Sequence, residues 1–489
     1  MMDKKPHIII FNPDQWRSDV MGHMGNPAAQ TPILDKWVED DAVSFRYAFC
    51  QNPVCTPSRC SFMTGWYPHV RGHRTMFHML QPDEPVLLKY LKDNGYYVWW
   101  GGKNDLVPAQ NGYDDYCDMK YEADRELRPN LHVAQEWRGD PDGDNFFSFY
   151  VGRLDKGDEE VYFDNDWAMV HGAIDLIKNP PTDKPLCIYL PILYPHPPYG
   201  VEDPYFSTID RDTLPERIPT PDWSKKPKLL KGIYERQRLQ TWTEDRWDEL
   251  RATYYGMCAR VDAQFGMVLD ALHEVGQYDD SAIFFFSDHG DFTGDYGLVE
   301  KTQNTFEDCL TRVPFIIKPP ADIETKAGVR DALVELIDFP ATVFELTGIE
   351  PDYDMFGQSL LPLIADETDT HREAVFCEGG RIHGEEQAME KDSSAFGDPH
   401  GLYYPRVRLQ GNDDGSHTKA TMCRTHDYKY VRRLYETDEL YDMRHDPAEV
   451  NNLIDDAEYA HVLADMRERL LTWYQVTCDV VPQKTDKRR

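Results

Sequence analysis

Pro53-Val54-Cys55-Thr56-Pro57-Ser58-Arg59-Cys60-Ser61-Phe62-Met63-Thr64-Gly65 is the stretch on which the reading of this chain turns. A cysteine precedes Thr-Pro, Ser-Arg follows, and a short apolar turn closes on Thr-Gly. Proline is favoured in the first turn of a helix, where its missing N–H costs nothing, and Thr56 is suited to the N-cap. The spacing therefore predicts a helix with Cys55 at its positive mouth, where free N–H groups and the macrodipole attract anions. Arg59, one turn in, can return its guanidinium toward the same spot. The physical reading is an anion-binding cysteine loop. The competing structural reading is a thiol buried in an ordinary helix start.

Working outward, several core-strand patterns end in residues with chemistry. His7 to Asn12 reads as a buried strand running into Pro13-Asp14-Gln15, and open α/β sheets place ligands at such strand ends. Asp14 and Gln15 offer hard oxygen donors of the kind a divalent cation takes. Ser281 to Ser287 is a second strand pattern, followed by Asp288-His289-Gly290. A carboxylate and an imidazole there would complete a divalent site with Asp14, and Gly290 would let the backbone turn tightly. Tyr96 to Trp100 runs into Gly101-Gly102-Lys103-Asn104-Asp105, and Leu186 to Leu193 into Tyr194-Pro195-His196-Pro197-Pro198. Lys103 is a candidate anion contact. A lone histidine is usually structural, but His196 is held between prolines at the end of a core strand. Lys301, taken alone, reads as solvated surface.

Cys-x-Pro-Ser-Arg with its following Thr-Gly resembles the signature of the sulfatases, whose cysteine is oxidised after translation to formylglycine (3-oxoalanine). The resemblance covers nearly the whole chain in order: Asp14-Gln15, the Cys55 loop, Lys103, His196, Asp288-His289, Lys301 at the end of a glycine-rich stretch, then a small C-terminal region. It implies an α/β fold of the alkaline-phosphatase type, a mixed sheet sandwiched by helices, with a small C-terminal α+β subdomain. It implies hydrolysis of a sulfate ester to alcohol and inorganic sulfate, with a hydrated formylglycine at position 55 as nucleophile. Asp14, Gln15, Cys55, Asp288 and His289 would hold one divalent cation, with Ca²⁺ preferred on the resemblance and Mg²⁺ or Mn²⁺ also compatible. Cys55, Arg59, Lys103, His196 and Lys301 would be the catalytic set, stabilising charge on the transferring group, with His196 assisting the leaving oxygen.

One departure stands out. Sulfatases typically carry Gly-Lys-x-His where this chain has Gly102-Lys103-Asn104-Asp105, so Asp105 replaces the histidine. Two alternatives therefore stay open: a phosphonate monoester or phosphodiester hydrolase of the same superfamily, which typically lacks a lysine at the position of Lys103, or a catalytically inactive sulfatase-like binding protein. Asp105, Arg74 and His78 are further candidates for substrate contact. The implied partners are a small-molecule or carbohydrate sulfate ester and a formylglycine-generating enzyme during maturation. Oligomeric state is left open.

The totals fit this reading. The 489 residues suit one large α/β domain with a smaller one, and the pattern change near residue 370 divides the chain into 1–370 and 371–489. A net charge of −34 repels nucleic acid and anionic membranes, so an anionic substrate must be drawn in by local positive charge. No apolar run reaches the ~18 residues of a membrane span, and the start of the chain reads as a strand rather than a leader peptide. The ten cysteines show no C-x-x-C pair or regular spacing, which favours reduced thiols and a cytoplasmic protein.

The remaining segments read as follows. Helices are expected at Thr31 to Val38 with Thr31 as cap, Glu84 to Asn94, Trp167 to Lys178, Asp245 to Val275, Ile337 to Thr347 and Tyr459 to Tyr474. Residues 107 to about 160 read as an insertion and 200 to 240 as a long loop. Residues 312–318, 424–431 and 439–442 read as strands, and 379–417 as a polar loop that could face substrate.

Overall fold

The computed structural model describes residues 5–124, 135–412, 414–483, 485 and 488. Part of the expected insertion, residues 125–134, lies outside the described residues. In chain order the strands are β1 (His7–Asp14), β2 (Val43–Phe49), β3 (Tyr97–Gly101), β4 (Met119–Tyr121), β5 (Tyr150–Arg153), β6 (Leu186–Pro195) and β7 (Tyr199–Val201). There follow β8 (Ser281–Phe286), β9 (Phe315–Lys318), β10 (Gly328–Glu335), β11 (Val375–Gly379), β12 (Ala420–Arg424), β13 (Tyr428–Arg433) and β14 (Glu439–Asp442).

An eight-stranded sheet in the order β10-β2-β9-β8-β1-β6-β3-β4 forms the centre. Its pairs are parallel except the two made by β9, which make the sheet mixed. β1 is central, pairing β8 on one side and β6 on the other. Its side chains alternate between two cores. Ile8 and Ile10 join one with Phe62, Leu88 and Val343, while Ile9 and Phe11 join the other with Phe265, Leu272 and Ala173. A strand buried on both faces needs an unbroken apolar run, and that is why His7–Phe11 was legible. The chain thus has the α/β sandwich of the alkaline-phosphatase type.

The helix Glu244–Glu274 covers one face with Pro32–Asp40 and Asn165–Lys178, and Cys55–Thr64 and Asp338–Thr347 lie on the other. Thr31 does not cap the helix that follows it. Asp262, from the long helix, does so instead, accepting from Ile33 N at 3.1 Å and Leu34 N at 2.8 Å. The helix expected from Glu84 runs only Leu87–Asp93, because Glu84 is occupied with His73 and the Gln81 amide. The 200–240 loop contains a helix, Lys228–Gln237, whose Leu229, Leu230 and Ile233 enter a small apolar cluster with Leu409.

A four-stranded antiparallel sheet, β11-β12-β13-β14, with the helix Ala460–Thr477 forms the C-terminal part. The single strand expected at 424–431 is instead a hairpin, with Thr425 N bonded to Tyr428 O at 2.9 Å across the turn between β12 and β13. Polar Thr425-His426-Asp427 is the reason: it supplies a turn, not a ladder.

Candidate active site

β8, β1, β6 and β3 are neighbours, and each releases a functional residue at its C-terminal end. Asp14 is the last residue of β1, His196 follows β6, Asp288 and His289 follow β8, and Lys103 follows β3. Parallel alignment brings these ends to one edge of the sheet. Gly102 (φ 104°) makes the bend before Lys103, and a Cβ there would meet Pro191 O at 2.2 Å. Gly290 serves close approach rather than a turn, since a Cβ would fall 2.0 Å from Cys309 O.

Cys55 opens the helix Cys55–Thr64, all of whose residues are buried. The helix starts two residues earlier than Thr56 capping would require. Val54, extended, holds the N-cap position, and the Thr56 hydroxyl donates to Met76 O at 3.2 Å. Pro57 remains acceptable because the first N–H groups of a helix have no partner within it.

Ligand atoms of Asp14, Cys55, Asp288 and His289 all lie within 4.8 Å of one another, and all four residues are buried. Cys55 Sγ is 3.2 Å from His289 Nε2, 3.6 Å from Asp14 Oδ1 and 3.3 Å from Lys103 Nζ. Burial, reinforced by Asp14, raises the thiol well above its ordinary pKa, so the side chain stands as an un-ionised thiol.

The donor set fits a cation. His289 Nδ1 lies 2.9 Å from Gly290 O, which assigns the proton to Nδ1 and leaves a lone pair on Nε2. Burial holds the ring neutral. That lone pair faces Asp14 Oδ1 at 3.6 Å and Asp288 Oδ1 at 3.8 Å. Three electron-pair donors converging in a dry site suit a divalent ion between them, and the mix of oxygen and one nitrogen is compatible with Ca²⁺, Mg²⁺ or Mn²⁺.

Arg59 is fully buried, but its guanidinium does not turn to the cavity. It donates from Nε to Asp288 Oδ2 at 3.0 Å, from Nη2 to Asp14 Oδ2 at 3.0 Å, and from Nη1 to Asn12 Oδ1 at 2.9 Å and the Tyr189 hydroxyl at 3.2 Å. It clamps the two carboxylates rather than reaching for an external anion. Gln15 (φ 72°), also expected as a ligand, stands beside the cluster with its side chain engaged by its neighbours. Its Oε1 accepts from Lys301 Nζ at 2.7 Å, its Nε2 donates to Asp291, and its backbone N–H donates to Asp288 Oδ1 at 3.1 Å.

Lys103 Nζ donates to Asp14 Oδ2 at 2.6 Å and pairs with Asp105 at 2.8 Å. Burial opposes its charge, but Asp105 and Asp14 outweigh that and hold it well above the usual lysine range. Asp105 therefore anchors Lys103 and is not among the cavity-lining residues. Burial opposes the charge of the Asp14 carboxyl, but Lys103 and Arg59 outweigh it and hold the carboxyl well below the ordinary range.

Lys301 Nζ bonds Glu300 Oε1 at 2.7 Å and His196 Nε2 at 3.0 Å. His196 Nδ1 lies 2.6 Å from Pro197 O, so Nδ1 donates there and Nε2 accepts from the lysine. Burial and the Lys301 charge push this imidazole down to about 3. A proton-donor role for His196 is thus opposed by its surroundings, whereas orienting Lys301 is what its bonds accomplish.

Cys55, Lys103, His196 and Lys301 line one cavity of about 240 Å³. Residues that the sequence did not reveal complete it: Met76, Phe77, Glu300, Gln303, Glu390, Tyr403, Arg406 and Val407. Arg406, 3% exposed, donates from Nε to Lys301 O at 3.0 Å and from Nη2 to Val299 O, and pairs with Glu300 at 3.2 Å. Glu300 was at least adjacent to Lys301 in sequence; nothing in the sequence pattern marked Arg406. The 379–417 segment does reach the cavity, through Glu390, Ser393, Tyr403, Arg406 and Val407. Arg74 and His78 do not line it: Arg74 is tied to Gly380 O and Glu385, and His78 Nδ1 bonds the Thr75 hydroxyl.

Against known proteins, the sulfatase family model matches residues 6–349, well over half the chain. The chain belongs to the sulfatase family. The C-terminal model of N-sulphoglucosamine sulphohydrolase matches residues 399–475. This sulfatase is 26% identical over 500 residues to the arylsulfatase of Clostridium perfringens, covering 96% of this chain and 94% of that one. The phosphonate monoester hydrolase of Agrobacterium radiobacter shares its fold at TM-score 0.76 and 21% identity, covering 97% of this chain and 96% of that chain. A third similarity is to the structure of BT4656 in complex with D-glucosamine-2-N,6-O-disulfate, at TM-score 0.73 and 20% identity, covering 99% and 100% of the two chains. The protein is a sulfuric ester hydrolase.

Among the described residues no helix is long and apolar enough to cross a membrane.

Proposed function

We propose that this sulfatase works through a formylglycine derived from Cys55 and one divalent cation, Ca²⁺ preferred, held by Asp14, Asp288, His289 and the residue at 55. The observation that supports this reading is the convergence of those four ligand atoms within 4.8 Å beside two lysines in one cavity. When present, the cation and the modified residue supply Lewis acidity and a nucleophilic oxygen at the position the Cys55 side chain now occupies.

The chain's own residues do the rest. Lys103 and Lys301 place positive charge where sulfate oxygens gather charge, and such electrostatic stabilisation is usually the largest single contribution to the rate. Arg59 helps keep Asp14 ionised and fixes both the Asp14 and the Asp288 carboxylates in place. His196 and Glu300 hold Lys301 Nζ, and Gln15 links that lysine to the β1 end. Arg406 carries the support into the C-terminal part, which we divide from the catalytic part near residue 370. The substrate is a small-molecule or carbohydrate sulfate ester, as the size of the cavity suits. Maturation requires a formylglycine-generating enzyme, and the unpaired cysteines support a cytoplasmic setting.

The test is mass spectrometry of the tryptic peptide ending at Arg59, together with turnover of an aryl sulfate and an aryl phosphodiester. Aldehyde at position 55 and a higher kcat/KM for the sulfate are expected. Thiol throughout an active preparation refutes the formylglycine reading. A higher kcat/KM for the diester moves the enzyme to the phosphonate and phosphodiester branch.

A further inference from the structure

Glu390 lines the same cavity as Cys55, Lys103 and Lys301 and is 5% exposed. Its Oε1 accepts from Met76 N at 3.2 Å; its Oε2 accepts from Gln303 Nε2 at 3.0 Å and lies 3.5 Å from Gln410 Nε2. All three partners are neutral amides. A carboxylate offers about four acceptor positions, and a buried charge is as a rule matched by an opposite one. Glu300, in the same cavity, follows that rule with Lys301 and Arg406. Glu390 does not: among the described residues it forms no ion pair. Burial raises its carboxyl above the usual range, and Lys301 is the weakest of the influences that lower it.

A second observation points the same way. Gln303 also lines the cavity, and its Oε1 is buried with no hydrogen-bond partner; the Oε1 of Gln410 is in the same state. Among the described residues, this wall therefore presents a carboxylate with no cation against it beside a buried Gln303 oxygen with no donor, and the Gln410 oxygen behind it is in the same state. The lysines that would receive the sulfate lie in the same space of about 240 Å³, small enough for one molecule to meet both charge types.

We propose that Glu390 is a specificity-determining residue that receives an ammonium group on the alcohol part of the ester. The preferred substrate is then a zwitterionic amino-alcohol or amino-sugar sulfate. A second anion on the alcohol part would face an unneutralised carboxylate and is selected against. This inference rests on the sulfatase reading and refines it.

The test compares sulfate release from D-glucosamine 6-sulfate and D-glucose 6-sulfate, which differ by ammonium against hydroxyl at one carbon, with 4-nitrophenyl sulfate as a reference ester. The wild-type enzyme should favour the amino ester in kcat/KM by about tenfold or more, since a charge-assisted hydrogen bond is roughly twice as strong as a neutral one. Glu390→Gln should bring that ratio to about one, and Glu390→Asp, which keeps the charge, should retain part of it. A wild-type ratio at or below one overturns the proposal without any variant. So does a Glu390→Gln enzyme that loses activity on all three esters by one factor, the result a purely structural prop would give. Sulfate release from none of the three by the wild type overturns the underlying sulfatase reading, and this inference with it.

Discussion

Replacing Arg59 by methionine separates two roles that the sequence left merged. In the structure the guanidinium bridges Asp14 Oδ2 at 3.0 Å and Asp288 Oδ2 at 2.8 Å, with all three side chains fully buried. Removing one partner of a buried ion pair costs about 3–5 kcal/mol, because the remaining charge is left desolvated and unmatched. Lys103 still neutralises Asp14 from the other side, but Asp288 keeps only the Gln15 and His289 backbone N–H groups on Oδ1. The loss should thus fall within that range, a large share of the ~5–15 kcal/mol by which a typical domain is stable. Urea denaturation in the presence of a chelator measures it free of any bound cation, and Arg59→Lys should fall between the two, since it keeps charge but loses the fork. If Arg59 instead gripped the substrate sulfate, Arg59→Met would raise KM and leave the metal-free stability within about 1 kcal/mol of wild type. That result would refute the clamp.

Other outcomes follow from the same geometry. Lys301→Met should lower kcat/KM by about 10²–10³, the usual loss for one charge-stabilising donor, with urea stability as a control for folding. Glu300 is held down to about 2 because Lys301 and Arg406 outweigh its burial. A depressed carboxyl contributes stability above its unfolded pKa of about 4.5 that is lost as pH falls toward 2, here about 3 kcal/mol at 1.36 kcal/mol per tenfold change in proton affinity. Urea midpoints between pH 6 and pH 3 should therefore fall more steeply for wild type than for Glu300→Gln; equal slopes would exclude Glu300 as the titrating group. Prolonged chelation should abolish sulfate release, and Ca²⁺, Mg²⁺ or Mn²⁺ added back singly should restore it to different extents. Unchanged activity after verified metal removal would refute the metal assignment. Arg406→Ala should lower kcat/KM through misplacement of Lys301, and the C-terminal part would be shown dispensable to the site if it did not.

The sequence by itself determined the strands and what stands at their ends. Apolar runs such as Ile8–Phe11 and Ala282–Phe286, too short for a buried helix and bounded by polar residues, read as strands covered on both faces, and the polar residues after them fall at the sheet edge. The ligating and cationic residue types at those edges, with the Cys55 signature, were enough to place the chain among the sulfatases. What each side chain touches was settled only by the fold. Arg59 lies in the signature helix, yet its partners are 45 and 229 residues away in sequence, so its role as a clamp depends on how β1 and β8 pair. The same holds for Asp105, which looks like a defect in the motif but sits 2.8 Å from Lys103. Glu390 and Arg406 come from a polar stretch without periodicity, and such a stretch carries no pattern from which a long-range contact can be read. Periodicity reports which face of an element is buried; it carries no information about which distant residue a buried charge will meet.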